Sequence, residues 1–469
     1  MNWENLDRAF NPKTVAVVGA KKLNDYMWLR AVQPLNGKVY SVNIDKSEIP
    51  GIEALGFKNY LSLMDIPEPV DYVICSVPRE ISPLIVRDCI KKQVGGVTLF
   101  TSGFAETGTP EGIKLQKQIL EMAKEADLNL IGPNCMGIFN PRVGLRNFPN
   151  LYAGEGGPFG VISQSGTHCI NISVLANIHG LKVSKAVSYG NAIILDSCDY
   201  LEYLLNDQQT EIIGMYIEGI RKGPRFLEIL REAAAKKPVI IWKGGQTEAG
   251  TRATSSHTGS MAESMVIWES LIKQVGAIRV DNLEEMVDVA KGFACTKPIS
   301  GKRVGLLSMT GGQSVVITDA FARAGFEVPL LTDVTYNKLA SFFNIVGGSY
   351  KNPIDMGSNW TAGPEALHIL DLLEEDANID NIVLEFNTNF LKRHFGSQPE
   401  FYNRLFEIIF EFKEKTRKPF LVVTPASFQD GELDEVRNSL LKGGLVSYPS
   451  FDRGANALRK MSECHVQGR

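Results

Sequence analysis

One hexapeptide places a histidine among small and polar residues: Ser255-Ser256-His257-Thr258-Gly259-Ser260. A polar run over residues 247–254 precedes it, and a helical pattern over residues 261–275 follows it. We therefore expect His257 in a flexible, solvent-accessible loop at the entrance of a helix, close to backbone N–H groups. An imidazole in such a place can act as a nucleophile that carries an anion. The alternative is an ordinary solvated loop histidine.

Two further segments could serve the same chemistry. Glu218 follows an apolar strand over residues 212–217, and its carboxylate could accept the N–H of an imidazole, leaving the other ring nitrogen free to attack. The turn Ser163-Gln164-Ser165-Gly166 follows a strand and begins a helix, whose N-terminus could hold a phosphate. The alternatives are a solvent-facing glutamate and an ordinary capped helix.

Three strands in the sequence each run into a glycine turn, and they start the series of elements that must position these residues. The strands cover residues 14–18, 160–162 and 304–307, and their turns contain Gly19-Ala20, Gly166 and Gly311-Gly312. Alternating strands and helices follow each one, which is typical of open, mostly parallel α/β sheets that bind ligands at the carboxyl ends of their strands. The sequence predicts three Rossmann- or flavodoxin-like domains, at residues 1–145, 146–298 and 299–469, with a linker over residues 140–157.

The first domain offers a ligand crevice. Its further strands, at residues 38–43, 70–78, 96–101 and 128–131, end in turns that should line one side of the sheet. The Gly19-Ala20 turn lacks the G-x-G-x-x-G pattern of dinucleotide sites. Lys21 and Lys46 lie near strand ends and would suit the phosphates of a large anionic cofactor, although surface lysines are common.

The composition fits an ordinary globular protein. The chain has 469 residues, 44% of them hydrophobic, and a net charge of −4, which gives no argument for nucleic acid or an anionic membrane. The seven cysteines lack C-x-x-C spacing, so we expect free thiols in a reducing cytoplasm, and the six histidines do not cluster into a metal site. The polar start predicts no signal peptide, and no apolar run reaches the length of a membrane span.

The order of several short motifs is similar to that of a known family. The chain resembles the α subunit of NDP-forming acyl-CoA synthetases, which are ADP-forming acetate–CoA ligases and relatives of succinyl-CoA synthetase. The matching motifs cover nearly the whole chain: AVVGA at residues 16–20, TSGFAE at 101–106, GPNCMG at 132–137, SQSG at 163–166, SYGN at 188–191, YIEG at 216–219, SSHTG at 255–259, and NPID at 352–355.

The resemblance implies a CoA-binding first domain, two succinyl-CoA-synthetase-like domains and a phosphohistidine relay. His257 would be the phosphorylated residue, and Glu218 would orient and stabilise it. The residues implied to bind phosphate are Gln164, Ser165, Gly166, Asn191 and Gly259. The residues implied to line the CoA site are Gly19, Ala20, Lys21, Asn43, Lys46, Val77, Pro78, Ser102, Gly103, Asn134 and Cys135.

The resemblance also implies a partner. No ATP-grasp domain is evident in the sequence, so a separate ATP-grasp β subunit would bind ATP or ADP with Mg²⁺, and the family suggests an α2β2 assembly. The first glycine loop departs from the family pattern, because Lys21 replaces a serine and the loop is shorter, which leaves the exact CoA contacts open. A non-catalytic CoA-binding paralogue is the alternative, although it would need neither Glu218 nor His257. A nicotinamide-dependent dehydrogenase is disfavoured by the missing glycine fingerprint.

Overall fold

The computed structural model describes residues 2–258, 265–359, 364–395, 399–426 and 430–464. These residues fall into two units, one that reaches Met286 and one that starts at Val287. Across the ranges described, no helix combines the length and the apolar character needed to cross a membrane.

The first unit contains two six-stranded sheets. Their strands are β1 (Thr14–Val18), β2 (Lys38–Val42), β3 (Lys58–Tyr60), β4 (Tyr72–Cys75), β5 (Gly96–Leu99), β6 (Leu130–Ile131), β7 (Gly137–Phe139), β8 (Phe159–Ser163), β9 (Val183–Ser188), β10 (Ile212–Ile217), β11 (Val239–Lys243) and β12 (Ile278–Val280). The helices are α1 (Trp3–Phe10), α2 (Met27–Val32), α3 (Ile49–Ala54), α4 (Ser82–Lys92), α5 (Pro110–Glu125), α6 (Gly166–Ile178), α7 (Ser197–Asn206), α8 (Gly223–Lys236), α9 (Glu248–Thr258), α10 (Met265–Val275) and α11 (Leu283–Cys295), the last of which ends in the second unit.

The first sheet is parallel throughout and has the order β3-β2-β1-β4-β5-β6. The strand order reverses direction between β1 and β4, and this is where open α/β sheets bind their ligands. Every residue of β1 and β4 is buried, because helices cover both faces of a parallel sheet.

The second sheet has the order β12-β11-β10-β8-β9-β7. Strands β8 to β12 are parallel to one another, and their order in the sheet reverses between β8 and β10, as in flavodoxin-like folds. Strand β7 joins the edge of the sheet antiparallel to β9. Helix α6 begins directly after β8, and Ser165 caps it by accepting a hydrogen bond from the backbone N–H of His168 at 3.4 Å.

The second unit contains one parallel five-stranded sheet with the order β14-β13-β15-β16-β17. Its strands are β13 (Val304–Ser308), β14 (Ile354–Asp355), β15 (Asn381–Glu385), β16 (Phe420–Val423) and β17 (Ser447–Tyr448). Its helices are α12 (Gly311–Arg323), α13 (Asp333–Ala340), α14 (Pro364–Glu375), α15 (Thr388–Phe395), α16 (Pro399–Lys415), α17 (Asp430–Lys442) and α18 (Phe451–Ser462). Short 3-10 turns occur in both units, at Lys22–Asn24, Leu63–Asp65, Ala105–Thr107, Pro141–Val143 and Gly357–Asn359.

These three mostly parallel sheets confirm the predicted α/β fold class. The three strands that precede glycine turns occur where the sequence placed them, as β1, β8 and β13. The short strands β3, β7, β12 and β17 were not predicted, because two or three residues give too little periodicity to recognise. The three domain boundaries stay a prediction.

Candidate active site

Glu218 lies immediately after β10 and is only 7% exposed. The hydroxyl of Tyr216 donates to Oε1 of Glu218 at 3.2 Å. The neighbouring turn holds the backbone of Glu218, because Oε1 of Gln164 accepts hydrogen bonds from the N–H groups of Glu218 at 2.9 Å and Gly219 at 3.1 Å. The carboxylate therefore stands on a strand end that is tied to the start of helix α6.

A buried lysine lies beneath the same strand end. Lys243 closes β11 and is 5% exposed, and its ammonium donates to the carbonyl oxygens of Glu218 at 2.7 Å and Gly244 at 2.9 Å. A Cβ added to Gly244 would lie 2.7 Å from the hydroxyl of Tyr216 and 3.2 Å from Cγ of Glu218. The chain therefore passes against the carboxylate where only glycine fits.

Helix α9 begins four residues after this glycine. Its first turn is held by Thr247, whose Oγ1 accepts from the N–H of Gly250 at 3.1 Å, and by Thr251, whose hydroxyl donates to the carbonyl oxygen of Gly245 at 2.9 Å. The start of α9 is thereby fixed to the turn beside Glu218.

The expectation of a loop around His257 is wrong for the backbone. Helix α9 runs to Thr258, so His257 lies in its last turn instead of at a helix entrance. The physical reason is that the polar run also contains good helix-forming residues and an N-terminal threonine cap. The side chain of His257 and the whole of Gly259 lie outside the described residues.

The predicted phosphate residues divide into two groups. Ser165 and Gly166 form the N-terminus of α6, as expected for an anion site. Asn191 lies at the end of the turn after β9, where its side-chain amide donates to Oε2 of Glu106 at 2.6 Å and to Oε1 of Gln116 at 3.1 Å. Asn191 therefore links the second sheet to a loop of the first.

The loops after β6 and β9 lie directly against each other. The N–H of Asn191 donates to the carbonyl oxygen of Pro133 at 3.0 Å, and a Cβ on Gly190 would lie 2.2 Å from the carbonyl oxygen of Asn134. Asn134 itself adopts a positive φ of 59°. The carboxyl ends of the first and second sheets consequently meet at these two turns.

Several predicted CoA residues surround the switch point of the first sheet. A Cβ on Gly19 would lie 2.7 Å from the carbonyl oxygen of Ser76 and 2.7 Å from Cγ1 of Val77, so the turn after β1 and the turn after β4 touch. Asn43 is buried and donates from Nδ2 to the carbonyl oxygen of Ala20 at 2.7 Å. This close approach requires glycine, and a turn without a Cβ at the end of a central strand is suited to a phosphate-rich ligand.

The other predicted CoA residues differ in exposure. Lys21, Lys46, Pro78 and Ser102 are exposed, and Gly103 is half-buried in the loop after β5. Cys135 is buried, and its thiol donates to the carbonyl oxygen of Leu99 at 3.8 Å. Burial raises the pKa of this thiol, so its side chain belongs to the protein interior.

Sequence reasoning missed four side chains near Glu218. Tyr216 enters the sequence analysis only as part of a strand and of the YIEG motif, and Lys243, Trp242 and His168 receive no role in it. The alternation of strand residues could have suggested Tyr216, because residues two apart on a strand share a face and Tyr216 precedes Glu218 by two. No pattern in the sequence pairs His168 with this group.

Comparison with known proteins agrees with this geometry. Residues 13–141 match the model of the CoA binding domain, and residues 156–293 match the succinyl-CoA ligase like flavodoxin domain. Two relatives come from Pyrococcus furiosus. Acetate–CoA ligase [ADP-forming] II subunit alpha is 36% identical over 81% of this chain and 81% of its own, and the corresponding I subunit alpha is 32% identical over 97% and 96%.

A solved structure supports the same relationship over the whole chain. Acetyl-coenzyme A synthetase 1 of Ca. Korarchaeum cryptofilum, solved in complex with phosphate and ADP, is 28% identical, with a TM-score of 0.85 over 98% of this chain and 96% of that one. The strand-end carboxylate beside a glycine turn and the glycine-lined crevice agree with these similarities. The chain belongs to the family of ADP-forming acetate–CoA ligase α subunits, which are acid–thiol ligases.

Proposed function

We propose that this chain carries the acyl and phosphoryl half-reactions of an ADP-forming acyl-CoA ligase, through a phosphohistidine at His257. In the direction of ATP synthesis, phosphate attacks the thioester carbonyl of acyl-CoA, which gives acyl phosphate and free CoA. A ring nitrogen of His257 then attacks the phosphorus atom and releases the carboxylate. Finally ADP accepts the phosphoryl group from the phosphohistidine, which regenerates His257 and gives ATP.

The observation that carries this proposal is the position of Glu218. Glu218 is buried, its backbone is held by Gln164 and Lys243, and its side chain lies against the Gly244 turn that leads into the helix of His257. A fixed carboxylate of this kind orients an imidazole by accepting its N–H, and it stabilises the positive charge that develops on the ring. The N-terminus of α6 at Gly166 would hold the phosphate oxygens, since helix N-termini attract anions.

CoA is assigned to the crevice at the switch point of the first sheet. The bare backbone at Gly19 and Ala20 would receive the pyrophosphate, and the exposed Lys21 and Lys46 would neutralise phosphate charges. Because the first and second sheets meet at the turns containing Asn134 and Asn191, the thiol end of CoA would arrive near the phosphate-binding end of α6.

The final step requires a partner. The two Pyrococcus relatives are named as α subunits, which supports a second subunit for this chain as well. We propose an ATP-grasp β subunit that binds ADP with Mg²⁺, in an α2β2 assembly. Acetate is the acid in the names of those relatives, so it is the first acid to test.

The test uses the isolated chain with ³²P-labelled acetyl phosphate, which needs no nucleotide subunit. We expect one acid-labile, alkali-stable phosphate per chain, lost in His257→Ala and retained in His368→Ala, an exposed histidine of the second unit. CoA binding, measured by calorimetry, should be the same in all three proteins. Label that survives His257→Ala would contradict the assignment. CoA binding without any label in the unmodified chain would favour the alternative, a non-catalytic CoA-binding paralogue.

A further inference from the structure

Three aromatic rings pack together at the carboxyl edge of the second sheet. The ring centroid of His168 lies 4.4 Å from that of Tyr216 and 4.5 Å from that of Trp242, and the latter two are 4.7 Å apart. Tyr216 and Trp242 are register partners on β10 and β11, so they share a face of the sheet. His168 reaches them from the first turn of α6. This aromatic cluster therefore joins the phosphate-binding helix to the strand of Glu218.

The cluster fixes the direction of one hydroxyl. Tyr216 is 6% exposed, and its hydroxyl donates to Oε1 of Glu218 at 3.2 Å. Gly244 leaves just enough room for that hydroxyl, since a Cβ there would lie 2.7 Å from it. Burial, and then the nearby carboxylate of Glu218, raise the pKa of Tyr216, so the group stays protonated and remains a donor.

The imidazole of His168 is suited to a packing role without charge. Its Nδ1 is buried and has no hydrogen-bond partner among the residues that the structure describes. Burial also lowers the pKa of His168, which favours the neutral ring near neutral pH. A neutral ring places no positive charge against Tyr216, the donor to Glu218.

We propose that Tyr216 is a positioning residue of the phosphohistidine reaction, which acts by holding the carboxylate of Glu218, and that the rings of His168 and Trp242 hold Tyr216 in place. The inference rests on the proposed function, because Glu218 has this task only if His257 is phosphorylated. One hydrogen bond from Tyr216 restricts rotation of the carboxylate, so that an N–H of the imidazole meets a fixed acceptor. The role of Tyr216 is thus distinct from that of a core aromatic residue.

The experiment compares rates of phosphohistidine formation from labelled acetyl phosphate in single-turnover assays. Tyr216→Phe keeps the ring and removes only the donor, and we expect the maximal rate to fall about tenfold while the half-saturating acetyl phosphate concentration and the CoA affinity stay within about twofold. Tyr203→Phe is the matched control, because Tyr203 is also buried, at 8% exposed, and donates to Oδ1 of Asp7 at 2.8 Å instead of to Glu218. It should keep the full rate.

Two further variants separate positioning from mere packing. His168→Phe preserves a packed ring and should keep the rate within about twofold, whereas His168→Ala should lower it about as much as Tyr216→Phe. In a Glu218→Gln background, Tyr216→Phe should add little, since both changes disturb the same carboxylate. If the unmodified chain takes up label and Tyr216→Phe reacts at the same rate, the positioning role alone is overturned. The same conclusion follows if the rate losses of Tyr216→Phe and Glu218→Gln are fully additive in the double variant. Absence of label in the unmodified chain overturns the proposed function and this role together.

Discussion

At the scale of single residues, a buried ammonium supports the candidate active site. Lys243 is 5% exposed and binds the carbonyl oxygens of Glu218 and Gly244, which belong to two adjacent strand ends. Its ammonium also lies 5.9 Å from the ring centroid of Trp268 on α10. A charged donor shared between two carbonyl groups holds their separation more firmly than a neutral one, because charge-assisted hydrogen bonds are stronger.

Replacing Lys243 by methionine tests this support. Lys243→Met keeps the alkyl chain but leaves two buried carbonyl oxygens without this donor, which should lower the free energy of unfolding by about 1–3 kcal/mol. Lys236→Met is the control, because Lys236 forms an exposed pair with Glu232, and such pairs contribute about 0.3–0.5 kcal/mol. Urea unfolding followed by tryptophan fluorescence measures both. Equal stability losses in the two variants would argue against a structural role for the buried ammonium.

At the scale of elements, the turn after β1 shapes the crevice that we propose for CoA. Gly19 has a φ of +84°, and its missing side chain lets the backbone touch the turn after β4 at Ser76 and Val77. Positive φ and close approach are two separate reasons for glycine at this position. They can be distinguished because Gly56 has a nearly identical φ of +85° with no atom within 4 Å of an added Cβ.

We expect Gly56→Ala to lose about 1 kcal/mol of stability from backbone strain, and Gly19→Ala to lose more, because its Cβ would also lie 2.7 Å from the carbonyl oxygen of Ser76. Only Gly19→Ala should also weaken CoA binding, by at least tenfold, because its new methyl group would separate the two turns of the crevice. Isothermal titration with CoA and thermal unfolding measure the two effects independently. Unchanged CoA affinity in Gly19→Ala would remove this turn from the proposed site.

At the scale of the first unit as a whole, two sheets present their carboxyl ends to each other. Glu106 joins them: its Oε1 accepts from the N–H groups of Gly103 at 2.6 Å and Phe104 at 3.1 Å, while its Oε2 accepts from Asn191 at 2.6 Å. One carboxylate therefore shapes the loop after β5, which we propose for CoA, and holds Asn191, which we propose for phosphate. Helix α9, which bears His257, contacts the same Ala105–Thr107 turn.

Substitutions of Glu106 should separate these two tasks. Glu106→Gln keeps an oxygen for Gly103 and Phe104 but turns an amide toward Asn191, so we expect CoA affinity within about threefold and a rate of phosphohistidine formation lowered about tenfold. Glu106→Ala removes both contacts and should also weaken CoA binding. Glu111→Ala, an exposed residue of α5, serves as the control. If Glu106→Gln loses CoA affinity but keeps its rate of phosphohistidine formation, the two contacts of Glu106 do not have these separate tasks.

The sequence by itself determined the fold class and the turns that hold the candidate site residues. Apolar strands that run into glycine turns predicted the parallel sheets, because buried parallel strands need continuous apolar runs and ligand turns need glycine. The same logic placed Glu218 at a strand end, where the structure has it. The helical state of the segment up to Thr258 was missed, because its small polar residues suit a loop and a capped helix almost equally well.

Only the tertiary structure decided which side chains meet. Lys243 lies 25 residues from Glu218, Asn191 lies 85 residues from Glu106, and His168 on helix α6 packs against Tyr216 on strand β10. Strand order and the packing of helix on sheet create these contacts, and one sequence read along its length contains neither. The sequence could therefore suggest a phosphohistidine at His257. The contacts that hold Glu218 in place form only when the chain folds.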